Sequence, residues 1–116
     1  MVCYSWVGPI SILAAMVLID GAGFHGMDEG LNGGEEIDAS WVGKVTRAKQ
    51  AAQTVDWPED LKAAADAFIA AATALETALT ADDAEAAATA AVAAHETQHD
   101  LSHDAYAFLG GGTSAH

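Results

Sequence analysis

Basic side chains are scarce in this chain of 116 residues, with 4 Lys and Arg against 17 Asp and Glu and a net charge of -13. Nucleic-acid binding depends on clustered cations that neutralise phosphates, so the composition argues against that class of partner. The same shortage argues against a broad basic patch for anionic lipid headgroups. The single cysteine, Cys3, leaves no internal disulfide and no cysteine-rich zinc module. The motif C-x-x-C-H is missing, which excludes covalently attached haem. No segment alternates polar and apolar residues with period two, so no sheet is expected.

What the chain has instead is alanine and helical periodicity, with 52% hydrophobic residues overall. That content separates it from disordered acidic tails. Its acid excess resembles the composition of proteins from salt-loving archaea, where abundant cations screen self-repulsion.

The first nineteen residues carry no charged side chain. As one helix they would span about 28 Å, close to the ~30 Å hydrocarbon core of a bilayer. Gly8-Pro9 interrupts the run, and no Lys or Arg precedes it as in a secretory leader. Residues 1–20 are therefore expected to be a hydrophobic helix, serving either as a membrane anchor or as a fourth bundle helix. Orientation in a membrane stays open, because the nearest cations, Lys44, Arg47 and Lys49, lie far along the chain. Tyr4 and Trp6 suit a membrane interface.

Residues 21–34 follow as a glycine-rich linker. Glycine raises the entropy cost of fixed structure there. His25, Met27, Asp28 and Glu29 sit within it, as a solvated loop or in a supporting role beside a metal.

Residues 35–109 carry three helical stripes, and 110–116 form a glycine-led tail. Ile37, Trp41, Val45, Ala48, Ala52 and Val55 mark the first stripe. Leu61, Ala65, Phe68, Ala72, Leu75 and Leu79 mark the second, opened by Pro58 with Glu59 and Asp60 at the positive end of the helix dipole. The third begins near Thr80, a potential cap, and places Ala88, Val92, His95, His99, Ser102, Tyr106 and Leu109 inward. Short connections make the three helices antiparallel neighbours. The expected fold is all-α: an antiparallel three-helix bundle preceded by a hydrophobic helix. Alanine-rich stripes bury little area per turn, so the first helix, a partner chain or a ligand is needed to complete the core.

The chemistry concentrates in His95-Glu96-Thr97-Gln98-His99-Asp100-Leu101-Ser102-His103. Histidines one helical turn apart can share a metal ion, and His95/His99 and His99/His103 both have that spacing. The principal expectation is a non-catalytic site for a divalent transition metal, Zn or Cu, with His95, His99 and His103 as ligands. His95-Glu96-x-x-His99 is also similar to the H-E-x-x-H motif of zinc metallopeptidases, which would make Glu96 the general base. That family aligns substrate on a strand, which this sequence lacks. Glu96-x-x-His99 has the spacing of di-iron bundle proteins, but no second such motif faces it. A small bundle with His95 or His99 on its last helix and Met16 or Met27 nearer the start resembles b-type cytochromes, which implies a haem-binding alternative.

The competing interpretation makes these satisfied core histidines of a structural subunit. Its apolar first helix and outward Leu101 and Phe108 would contact a membrane or a membrane-protein partner, as a homo- or hetero-oligomer.

Overall fold

A computed structural model describes residues 9–110. Tyr4 and Trp6, with the start of the hydrophobic run, and the tail beyond Gly110 lie outside the described residues. The chain is all-α, with helices α1 (Pro9–Asp20), α2 (Phe24–Asn32), α3 (Trp41–Thr54), α4 (Glu59–Thr80) and α5 (Ala84–Leu109). No β-strand occurs among the described residues.

The longest helices, α4 and α5, form the main antiparallel pair, and α3 packs beside α4. The α4 stripe is buried as its periodicity predicts, including Leu61, Ala65, Phe68, Ala72, Leu75 and Leu79. Large side chains at four of those six positions define the face without ambiguity. Alanine elsewhere lets the α5 backbone come close.

The turn between α4 and α5 fixes both helices within three residues. Asp83 N–H bonds the Ala78 carbonyl at 3.0 Å and Asp82 N–H bonds that of Leu79 at 3.1 Å. This Schellman arrangement requires a left-handed residue, and Asp82 (φ 56°) supplies it. Asp83 then caps α5 by accepting from Ala86 N–H. The cap is therefore Asp83 rather than Thr80, which ends α4.

The segment expected as a linker at 21–34 is helical over Phe24–Asn32 and packs on α5. Its glycines are concentrated at the ends. Gly23 (φ +89°) breaks α1 from α2, and Gly34 (φ +91°) closes α2 while Glu35 N–H bonds the Gly30 carbonyl at 2.8 Å. Between them Phe24, Met27 and Leu31 follow helical spacing and are buried. Phe24 meets Phe68 edge to face, with ring centroids 5.4 Å apart. Such a pair adds about 1 kcal/mol beyond the area it buries.

The hydrophobic helix α1 packs against α3 and α5, burying Ile12, Ala15, Met16 and Ile19. It therefore completes the core as a bundle helix, while Ile10, Leu13, Val17 and Leu18 on its other side are exposed. Two stretches, Ile10–Asn32 taken across the Gly21–Gly23 break and Glu59–Thr80, are long and apolar enough to cross a membrane. Core helices of soluble proteins meet the same criterion. On α3, Lys49 and Thr46 both hydrogen-bond the Glu76 carboxylate of α4. Trp57 Nε1–H donates to the Ala52 carbonyl at 2.8 Å, closing the end of α3.

Candidate metal centre

The rotation of α5 decides which way its histidines face. Its buried residues are Ala87, Ala91, Ala94, Leu101 and Ala105. The true core stripe is thus turned by about one residue, ~100°, from the expected one. The buried row carries Ala87, Ala91, Ala94, Leu101 and Ala105, whereas the expected one carries His95, His99 and Ser102, so apolar content separates them in favour of the buried row. Leu101, expected to face outward, is fully buried, whereas Phe108 is exposed. The row containing His95, Ser102 and Tyr106 faces the seam with α1 and α2 instead of the centre.

Along that seam the contacts are polar. Gln98 donates to Asp20 at 2.6 Å, and the hydroxyls of Ser102 and Tyr106 each reach the same carboxylate at 3.3 Å. Burial, together with the charge of Asp20 and its hydrogen bond, pushes the Tyr106 phenol above its ordinary pKa. One turn nearer the start of α5, Asp28 of α2 lies 2.9 Å from His95 Nδ1. Asn32 Nδ2–H bonds both Asp28 Oδ1 at 2.9 Å and the Ala88 carbonyl at 3.2 Å, holding that carboxylate against α5.

An ionised carboxylate only accepts hydrogen bonds, so Nδ1 of His95 carries the proton and donates it to Asp28. In the neutral ring Nε2 is then an unprotonated acceptor. That atom is buried and has no hydrogen-bond partner among the described residues. The cost of leaving such an atom unsatisfied is about 1–3 kcal/mol.

Two further imidazoles surround this ring. The His25 ring of α2 and the His95 ring are 4.9 Å apart at their centroids, and the His95 and His99 rings are 4.8 Å apart. His25 Nε2 also lies 3.3 Å from Glu29 of its own helix, an exposed pair of little energetic weight. His99 is exposed, and its contact is with the His95 ring. As placed, no three His, Cys, Asp or Glu side chains among the described residues are arranged to hold one metal ion.

The structure brings two of the three expected ligands together and separates the third. His103 is 83% exposed beside Asp104, over Ala64 and Ala67 of α4 in a groove also lined by Thr97 and Asp100. His25 takes the neighbouring place beside His95. The sequence marked it through its proximity to Asp28 and Glu29, but reading 21–34 as a linker hid the helix that presents it. Spacing of Phe24, Met27 and Leu31 was the available signal. Met16 and Met27, considered as haem ligands, are fully buried core side chains. Glu96 of the H-E-x-x-H motif is exposed.

Compared with known proteins, the chain matches no family model, no curated protein and no solved structure.

Proposed function

We propose that the protein binds a divalent transition-metal ion, Zn or Cu, at the α2–α5 seam without catalysing a reaction. His95 is the principal ligand, with His99 and His25 completing an imidazole set. The observation carrying this proposal is the state of His95: Asp28 holds Nδ1 while Nε2 is buried without a partner. Metal-binding histidines commonly donate the other ring N–H to a carboxylate, which orients the ring and raises its basicity. Imidazole nitrogen without thiolate suits Zn, Cu and Ni rather than Ca or Mg. His25 and His99 are exposed, so their rings can rotate to converge on the ion His95 presents. His103 takes no part.

The exposed apolar face of α1 favours a setting at a membrane, with the bundle kept outside the hydrocarbon. Titration of Zn2+ or Cu2+ into the full chain, purified without an affinity tag, tests the metal proposal. One ion per chain is expected, with affinity lowered at least tenfold in His95→Ala and unchanged in His103→Ala. Equal uptake by wild type and His95→Ala would remove the basis for it.

A further inference from the structure

We propose that α1 lies flat on a phospholipid bilayer, its Ile10, Leu13, Val17 and Leu18 face entering the acyl boundary while Lys44 and Arg47 engage headgroup phosphates. This rests on the membrane setting proposed above and specifies its mode. The face is a helical stripe, with Ile10 82% and Val17 61% exposed, although the opposite side of the same helix is fully packed. Such an uncovered stripe of large aliphatic side chains costs solvation energy unless something apolar meets it.

The charge beside the stripe selects the occupant. Lys44 and Arg47 of α3 border a shallow depression whose other walls are Val17, Leu18, Gly21 and Ala22. Half of the chain's four cations therefore flank its apolar face. Neither forms an ion pair among the described residues, whereas Lys49 is committed to Glu76. An overall shortage of cations thus hid a local concentration. Apolar side chains beside cations match the layering of a bilayer, where phosphates lie just above the acyl chains. A second copy meeting the same face would set Lys44 and Arg47 near like charges, whereas a bilayer sets phosphates beside them.

Packing distinguishes lying flat from crossing. Crossing would strip Ile12, Met16 and Ile19 from the bundle and break the bonds of Asp20 to Gln98, Ser102 and Tyr106.

Flotation of the full chain with vesicles of two parts phosphatidylcholine to one part phosphatidylglycerol tests the proposal at physiological salt. The wild type is expected to float, and Val17→Asp/Leu18→Asp to stay in the aqueous fraction with unchanged helical circular dichroism. Lys44→Gln/Arg47→Gln, which keeps every apolar contact, is expected to lower the partition coefficient about tenfold or more. Failure of the wild type to float would overturn both this mode and the membrane setting. Flotation unaffected by either double variant would overturn this mode alone, since another segment would then hold the chain. Self-association of the wild type that Val17→Asp/Leu18→Asp abolishes would reassign the face to contact between copies.

Discussion

Asp28 of α2 and His95 of α5, 67 positions apart in the chain, meet through a 2.9 Å hydrogen bond that leaves the other ring nitrogen buried and unpaired. One contact thereby fixes the tautomer of an imidazole and docks a short glycine-bearing helix onto the bundle.

Asp28→Asn tests that contact. The amide carries no charge and has one oxygen for two donors, His95 Nδ1–H and Asn32 Nδ2–H, so ligand basicity falls and the ring is held less firmly. Zn2+ affinity is expected to drop 10- to 100-fold, the usual cost of losing such a partner. Competition titration against a chromophoric chelator measures it. Wild-type affinity in the variant would show that the carboxylate serves only to hold α2 in place.

Position along α5 predicts an asymmetry between two apolar residues seven positions apart, which share a face of the helix. Leu101→Ala removes a fully buried side chain and is expected to cost about 2–5 kcal/mol in chemical denaturation. Phe108→Ala, at a site 37% exposed near the helix end, is expected to cost less, about 1–2 kcal/mol. A loss at Phe108 equal to or larger than that at Leu101 would contradict the burial of Leu101.

Acid sensitivity follows from Glu76. Hydrogen bonds from Lys49 and Thr46 hold its carboxyl below the ordinary glutamate range. A carboxyl whose folded pKa is depressed contributes stability above its unfolded value, near 4.3, and loses it as pH falls through the folded value. Glu76→Gln is therefore expected to be less stable than wild type at neutral pH, by about 1 kcal/mol for this partly buried pair. The difference should disappear in acid. Urea denaturation across that pH window measures it, and a difference independent of pH would contradict an origin in the charge of Glu76.

The fold was legible where large residues mark a face and obscure where alanine does not. Phe68 with Leu61, Leu75 and Leu79 fixes α4 unambiguously. On α5, the row through Ala87 sets one large aliphatic residue, Leu101, among alanines, and the row through Ala88 holds His95, His99, Ser102 and Tyr106, so the apolar signal for the buried row was present but carried by small side chains. Glycine content concealed α2, because the positive-φ residues Gly23 and Gly34 bound a helix rather than dissolve it. At the candidate site, His95 and His99 were legible from their spacing of one turn. His103 has the same spacing from His99 but lies over α4, because a straight helix carries each successive i+4 residue about 40° further around its axis.

The most direct test follows the imidazole resonances of the full chain by NMR as one equivalent of diamagnetic Zn2+ is added. Ligation predicts stoichiometric shifts for His25, His95 and His99, with His95 coordinating through Nε2 and keeping its Nδ1 proton, and no shift for His103. Unmoved His25 and His95 signals, or a response confined to His103, would contradict it.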